Sequence, residues 1–261
     1  FPQNTKTSLR SWVKQGRISV DGTIITRTDA QVEPGQAVKL EARTQVIQAG
    51  IKVLYEDSHI VVVDKPCGIL SVATNFEKGK TVHAYLKEKY KPKPVYVVHR
   101  LDQDTSGVLI FALSEKARDA LKKMFEEHSM ERMYAGILEG KLKEGNGTWT
   151  SYLKEDGNYY VHVTNNPEEG QLAITHYEVI KSAKKFTMVH VTLETGRKNQ
   201  IRVHCQHAGH PVVGDKKYGA KTNPVRRLCL HAQKLGFSHP VTHKRMHFES
   251  PPPQEFTRLV E

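Results

Sequence analysis

A polar loop that runs directly into an apolar segment contains the strongest candidate for chemistry in this sequence. The loop covers residues 99–107, which read HRLDQDTSG, and the apolar residues 108–111 follow it. Asp, Thr, Ser and Gly favour turns because they bond nearby backbone groups or adopt unusual dihedral angles. Asp102 would be held at the end of a strand, where a carboxylate can act as a nucleophile or base, with Arg100 as a nearby cation. The same residue types also fit a purely structural turn, so residue chemistry alone leaves both interpretations open.

The pattern around this loop predicts an α+β fold with a mixed, largely antiparallel central sheet and flanking helices. Strand-like runs follow one another instead of alternating regularly with helices, which favours this class. Hydrophobic periodicity predicts helices at residues 81–90 and 114–128, and a linker is expected at 45–52. The predicted strands are 60–63, 107–113, 134–138, 175–180 and 187–193.

Residues 1–45 are predicted to form a separate small domain, with residues 46–261 as the larger one. A helical pattern at 8–15 is followed by two strand candidates joined by Asp21-Gly22, a common hairpin signal. This order resembles the later part of an S4-type RNA-binding domain, although the earlier basic helix of such a domain is absent. The resemblance implies that Arg10, Lys14 and Arg17 face RNA phosphates; three solvated surface charges are the alternative.

The charge balance and the cysteine content restrict the partners and the compartment. The formal net charge is +11, which suits a polyanionic partner, with RNA or DNA ahead of a membrane. A basic surface that serves only solubility is the alternative. The chain has three cysteines without a CxxC pair, which argues against a disulfide framework and favours a reducing compartment. We therefore expect a cytoplasmic protein.

A set of motifs from about residue 53 to the end of the sequence resembles the RluA-type pseudouridine synthases. The loop HRLDQDTSG is similar to the signature of that family, and further motifs follow the family's order. They are 64–70 (DKPCGIL), 132–140 (RMYAGILEG), 195–204 (TGRKNQIRVH), 209–215 (GHPVVGD) and 230–232 (LHA). The resemblance implies an enzyme that converts uridine to pseudouridine in structured RNA.

Three positions take catalytic roles by this resemblance. Asp102 matches the catalytic aspartate, and Arg202 matches the arginine that pairs with it. A guanidinium partner favours the ionised form of an aspartate and holds its orientation. Tyr134 matches the tyrosine that lies against the target uracil. From residue type alone, Tyr134 is also compatible with a core aromatic and Arg202 with a structural ion pair.

Further positions are expected to contact the RNA. These are Arg100, which would fill or brace the space that a flipped uridine vacates, together with Arg197 and Gln200. Two positions depart from the family pattern. Asn199 stands where the family more often has His, so we assign no acid–base role there. Glu131 stands where the family often has Lys, which removes a positive charge near the expected RNA path.

Isomerising uridine exchanges the C1′–N1 bond for a C1′–C5 bond without net oxidation or hydrolysis. We therefore expect no cofactor and no metal, and the sequence has no dinucleotide-binding or P-loop glycine pattern. A zinc site remains an alternative, but its candidate ligands lack the usual paired spacing; they are His204, Cys205, His207, His210, Cys229 and His231.

Two other functions and two RNA targets remain open at this point. A glycoside hydrolase would use Asp102 and Asp104 as paired carboxylates, which a spacing of two residues on a turn disfavours. A protein that binds RNA without catalysis is the second alternative. The S4-like segment together with this catalytic type implies 23S ribosomal RNA as the substrate, with transfer RNA as the alternative.

Overall fold

The computed structural model describes residues 4–14, 18–21, 23–25, 28–40, 45–74 and 81–261. The chain divides into two units, Phe1–Val46 and Ile47–Glu261. Among the described residues, no helix combines the length and the apolar character needed to cross a membrane.

The first unit contains a helix and short strands. They are α1 (Lys6–Lys14), β1 (Ile18–Val20), β2 (Thr23–Ile25), β3 (Val38–Leu40) and β4 (Gln45–Val46). An antiparallel sheet has the order β2-β1-β3. Asp21 lies in the turn after β1 with a positive φ of 49°. Its carboxylate accepts hydrogen bonds from the Ala37 amide and the Gln36 side chain, which ties the turn to the start of β3. The S4-like identity of this unit stays a prediction.

The second unit is built on one large sheet. Its helices are α2 (Val82–Tyr90), α3 (Glu115–Glu126), α4 (Gln200–His207) and α5 (Gln254–Arg258), with 3₁₀ turns at Gln48–Gly50 and Lys216–Tyr218. Its strands are β5 (Lys52–Glu56), β6 (Ile60–Lys65), β7 (Tyr96–Val97), β8 (Ser106–Ala112), β9 (Glu131–Glu139), β10 (Asn146–Glu155), β11 (Val161–Thr164), β12 (Gln171–Ser182), β13 (Phe186–Leu193), β14 (Leu230–Ser238) and β15 (Arg245–Glu249).

The strand order is β11-β10-β12-β13-β9-β14-β8-β6-β5, with β15 added to β14 and β7 added to β8. Among the strand pairs of this unit, β8–β14 is parallel and the others are antiparallel. The predicted α+β class with a mixed, largely antiparallel sheet is therefore confirmed for this unit.

Strand β8 is the most deeply buried element of the sheet, because apolar layers cover both of its faces. Leu109 and Phe111 pack into one cluster with Leu86 of α2, whereas Val108 and Ile110 pack into the other cluster. Alternate residues of a strand point to opposite faces, so a continuous apolar run suits a strand that is covered on both sides. Each such buried side chain contributes about 1.5–3 kcal/mol to stability. The loop before β8 therefore ends on a rigid support.

Some elements differ from the sequence-based predictions. The helices predicted at 81–90 and 114–128 begin one residue later than expected, because Thr81 and Ser114 are N-caps that accept amide hydrogen bonds. The predicted linker at 45–52 instead contains strand and 3₁₀ structure, and Ile51 within it is fully buried. Strands β7, β10, β11, β14 and β15 lie outside the strands predicted from the sequence.

Gly107 joins the polar loop to β8 and has no room for a side chain. Its φ is +114°, and a Cβ built on it would lie 2.2 Å from the Ala232 carbonyl oxygen on β14. Gly107 pairs with Ala232 where β8 and β14 run parallel. Glycine is required here both by the backbone conformation and by this close approach.

We predict that Gly107→Ala destabilises the second unit by about 2–5 kcal/mol, the combined cost of a strained φ and of overpacking. Urea denaturation measures the change. Gly145→Ala is the matched control, because a Cβ at Gly145 meets nothing within 4 Å. Equal stability of the two variants would contradict the close approach of β8 and β14.

Candidate active site

Asp102 lies in the loop between β7 and β8, and the loop is tied down on both sides of it. The backbone amide of Leu101 donates to Ser71 Oγ at 3.0 Å, and Ser71 Oγ donates to the Leu101 carbonyl at 2.8 Å. Leu101 itself is buried in the core. The Thr105 amide donates to the Asp102 carbonyl and closes the turn predicted from the sequence. The Asp102 carboxylate is therefore held by a fixed backbone.

A buried lysine completes this support. The Lys65 ammonium donates to the carbonyl of Gln103 at 2.8 Å and to those of Pro66 and Ile69 at 3.1 and 2.6 Å. Burial lowers the pKa of Lys65 to about 8, so the charged form that makes these bonds persists at neutral pH. Lys65 thus fastens the backbone next to Asp102 to the turn that follows β6.

Arg202 reaches Asp102 from α4, on the opposite side of the site. Its Nη1 donates to Asp102 Oδ2 at 3.2 Å, although the two residues are far apart in the chain. The Arg202 side chain is 13% exposed and that of Asp102 is 26% exposed. The structure thus brings together the two side chains that the motif resemblance paired.

Asp215 holds Arg202, a contact that was not predicted from the sequence. Arg202 Nε donates to Asp215 Oδ2 at 2.6 Å and Nη2 donates to Oδ1 at 2.8 Å, a two-point contact that fixes the guanidinium plane. The Asp215 side chain is 1% exposed. Burial lowers the pKa of Arg202, but the bonds and charge of Asp215, and then Asp102, outweigh burial and raise it. Asp215 is the last residue of the motif GHPVVGD, and this position was the sequence signal that could have indicated its role.

Asn199 and Tyr218 support the remaining sides of Arg202. Asn199 Oδ1 accepts from Arg202 Nη1 at 3.3 Å, while Asn199 Nδ2 donates to the Tyr218 hydroxyl at 2.9 Å. The Tyr218 ring lies 4.8 Å from the guanidinium carbon, which is a cation–π distance. Asn199 precedes α4 with φ 55°, a left-handed conformation that Asn tolerates well. Asn at this position therefore suits a hydrogen-bonding role.

Tyr134 lies in the middle of β9, and its side chain lines the same pocket as Asp102 and Arg202. The pocket measures about 400 Å³, including open solvent, and is also lined by the apolar side chains of Leu193 and Leu230. Burial raises the pKa of Tyr134, Arg132 acts in the opposite direction, and the charge of Asp102 adds to the rise. Tyr134 therefore keeps its hydroxyl proton near neutral pH. A flat ring beside a fixed carboxylate is suited to hold a planar base.

The residues expected to contact RNA differ in their surroundings. Arg100 is exposed, Arg197 is half-buried, and both line the pocket. Gln200 is buried: its Oε1 accepts from Thr195 Oγ1 and the Arg197 amide, and its Nε2 donates to the Ile174 carbonyl and Thr175 Oγ1. All of its hydrogen-bonding groups are engaged within the chain. We therefore replace the expected RNA contact of Gln200 with a role in positioning the turn before α4.

The three residues assigned to RNA in the first unit are less defined. Arg10 lies on α1 and is exposed. Arg17 and the side chain of Lys14 lie outside what the structure describes. The assignment of these three residues to RNA remains a prediction.

The candidate zinc ligands take part in separate hydrogen bonds. His204 contacts Ser151 and Thr175, at 2.9 and 2.8 Å, whereas His231 contacts Ser106 and the Ser250 carbonyl. Within the described ranges, no three His, Cys, Asp or Glu side chains are grouped in a way that could hold a metal ion. The histidines thus connect neighbouring elements.

Comparison with known proteins identifies the class of enzyme. The family model described as RNA pseudouridylate synthase matches residues 59–207. The ribosomal large subunit pseudouridine synthase D of Pseudomonas aeruginosa is 33% identical over 100% of this chain and 88% of its own length. The uncharacterized RNA pseudouridine synthase YhcT of Bacillus subtilis is 32% identical over 98% of this chain and 88% of its own.

A solved structure agrees with this class at the level of the fold. The human RNA pseudouridylate synthase domain containing 1 protein superposes with a TM-score of 0.66 at 24% identity, covering 85% of this chain and 87% of that one. The fold and the family match thus define a pseudouridine synthase. The chain belongs to the RNA pseudouridylate synthase family, in its RluA branch, and is an enzyme that acts on RNA.

We predict that Asp215→Asn lowers stability by about 3 kcal/mol and also lowers the rate of pseudouridine formation. Removing one partner of a buried ion pair leaves the other charge uncompensated, and Arg202 loses the contact that fixes its plane. Urea unfolding and an activity assay on the same preparation measure the two effects. Asp119→Asn is the control, because it removes a carboxylate from an exposed ion pair with Arg118. An Asp215→Asn variant as stable and active as the parent would refute the role of this pair.

Proposed function

We propose that the chain converts uridine to pseudouridine in large-subunit ribosomal RNA, with Asp102 as the catalytic carboxylate. One observation carries the proposal: a half-buried carboxylate and a tyrosine ring line one small pocket, and an arginine whose side chain is 13% exposed binds that carboxylate. The reaction breaks the C1′–N1 bond, turns the uracil and forms a C1′–C5 bond. C5 loses a proton and N1 gains one, so atoms and electrons balance without a cofactor.

Asp102 has one oxygen for Arg202 and one for the substrate. Arg202 binds Oδ2, so Oδ1 is the oxygen that attacks the nucleoside or removes its proton. The buried contact with Asp215 keeps the guanidinium in place while the charge on Asp102 changes during the reaction. Such preorganised charge needs little rearrangement as the reaction proceeds. This supports Asp102 as the reacting group and Arg202 as its fixed partner.

Tyr134 holds the detached uracil in this proposal. The base has no covalent link to the sugar while it turns, and stacking on an aromatic ring retains it. The raised pKa of Tyr134 keeps the hydroxyl protonated, so the ring bears no charge that would repel Asp102. The apolar side chains of Leu193 and Leu230 complete the pocket walls.

The target uridine has to leave its helix to reach Asp102. The pocket measures about 400 Å³, including open solvent, and is far too small for a duplex, so the base is flipped out at a cost of a few kcal/mol. Arg100 is exposed at the pocket and is two residues from Asp102, which suits it to brace the space left in the helix. Arg197 lines the same pocket and adds a second cation near the RNA.

The name of a relative favours ribosomal RNA as the substrate, and the net charge favours nucleic acid in general. The relative from Pseudomonas aeruginosa carries a name that refers to the ribosomal large subunit, and it matches the whole chain. The net charge of +11 favours a large polyanion, whose binding draws on many phosphate contacts. The S4-like interpretation of the first unit, with Arg10, Lys14 and Arg17 facing phosphates, agrees with such a substrate.

We predict that Asp102→Asn lowers pseudouridine formation at least 1000-fold, roughly the scale on which a missing nucleophile or base acts. The amide keeps the size and the hydrogen bond but cannot attack or accept a proton. Nucleoside analysis of unmodified 23S ribosomal RNA after incubation with enzyme measures the rate. Asp104→Asn is the matched control, because Asp104 belongs to the same turn but does not line the pocket. If Asp102→Asn reacts at the parent rate, the mechanism is wrong.

We also predict that deleting the gene removes one or more pseudouridines from large-subunit ribosomal RNA. Mapping pseudouridines in cells with and without the gene tests this, and restoring the parent gene should restore the same sites. If pseudouridines are lost from transfer RNA alone, transfer RNA is the substrate. Unchanged pseudouridines in both, with RNA still bound by the purified protein, would favour RNA binding without catalysis.

A further inference from the structure

Arg132 is a buried cation beside the catalytic pocket, and it has no role in the proposed mechanism. It lies on β9 two residues before Tyr134, so the two side chains share one face of the strand. Arg132 is 9% exposed. Its guanidinium carbon lies 5.8 Å from the Phe125 ring. Its Nη2 makes two long hydrogen bonds, each 3.4 Å, to the Leu193 and Glu194 carbonyls.

The charge of Arg132 is not compensated within the described part of the chain. No carboxylate there lies within ion-pair distance of its guanidinium, and its buried Nε has no hydrogen-bond acceptor. Arg202, in the same site, binds two carboxylates. The charge of Arg132 also acts on His99, whose pKa falls to about 3, first through burial and then through this cation. A buried, unpaired guanidinium is costly to fold, so an anionic ligand is the expected partner.

Arg132 lines a cleft that adjoins the catalytic pocket. The cleft encloses about 1170 Å³, including open solvent, and shares Arg100, Arg197, Tyr134 and Leu193 with the pocket. Its lining contains three arginines and a single carboxylate, that of Glu126, among the described residues. The cleft therefore has an excess of positive charge immediately next to the position of the flipped base.

Gly196 leaves the space in which the Arg132 guanidinium lies. A Cβ at Gly196 would lie 2.7 Å from Arg132 Nη1, closer than a Cβ approaches a nonbonded atom. The backbone of Gly196 therefore forms one wall against the guanidinium, while the residue itself is exposed in the same cleft. The guanidinium is thus packed in one place, and Arg132 lines the cleft although its Nε is buried.

We propose that Arg132 forms a phosphate-binding subsite that takes a backbone phosphodiester of the RNA strand next to the flipped uridine. The subsite rests on the proposed function, because the phosphate belongs to the strand whose base enters the pocket. Arg132 supplies the fixed cation, and Arg100 and Arg197 add charge at the rim. Guanidinium groups bind phosphate oxygens through paired hydrogen bonds, which suits a planar group held against Gly196.

The variant Arg132→Met tests the subsite. If it does not fold, Arg132→Gln is a second charge-free variant that can still donate hydrogen bonds to the Leu193 and Glu194 carbonyls. KM and kcat for pseudouridine formation are measured on a 23S ribosomal RNA transcript over a series of KCl concentrations. We expect KM to rise at least tenfold with kcat changed less than threefold. The slope of log(1/KM) against log[KCl] should become shallower by about 0.7–0.9, the loss of one phosphate contact.

Two controls separate the subsite from general effects. Arg132→Lys keeps the charge and should retain the parent salt slope with a smaller rise in KM. Lys116→Met removes an exposed charge at the far end of α3 and should leave KM and slope unchanged. Parent KM and slope in a folded charge-free variant would overturn the inference, as would a loss of kcat alone. If the parent enzyme makes no pseudouridine, the proposed function fails instead.

Discussion

The site depends on how one guanidinium divides its hydrogen bonds between two carboxylates. Asp215 takes the Nε and Nη2 of Arg202 and is almost completely buried, so the plane of the guanidinium is set before any substrate arrives. Nη1 is then directed to Asp102, which is more exposed. Because an uncompensated buried charge is costly, moving either Arg202 or Asp215 away would leave the other at a large energetic cost. Asp102 thereby receives a fixed cation without being buried itself.

The surrounding structure converts this charge arrangement into a rigid geometry. The loop with Asp102 is bonded to Ser71 and Lys65 and continues into β8, a strand covered on both faces. Arg132, two residues before Tyr134 on β9, offers a contrast, since its positive charge lacks a carboxylate partner in the described ranges. The charge of Arg202 is therefore compensated within the protein, which suits a fixed catalytic partner. The charge of Arg132 is left for an anionic ligand.

Much of the second unit could be predicted because its main elements have local signals. The apolar run of β8 and the capping residues Thr81 and Ser114 indicate where a strand and two helices begin. Strand β10 has no such signal, because nearly all of its residues are exposed or half-buried and little apolar alternation remains. It becomes a strand through pairing with β12 from Asn146 to Leu153. Pairing between distant segments leaves little trace in local composition.

The sequence by itself determined the order of the motifs, the turn that holds Asp102, and Arg202 as the candidate partner of Asp102. Only the tertiary structure decided the charge compensation: it added Asp215 to Arg202, turned Gln200 inward and left Arg132 without a carboxylate. The reason is physical. A turn is set by neighbouring residues, whereas burial and ion pairing depend on side chains that only the folded chain brings within a few ångströms of each other.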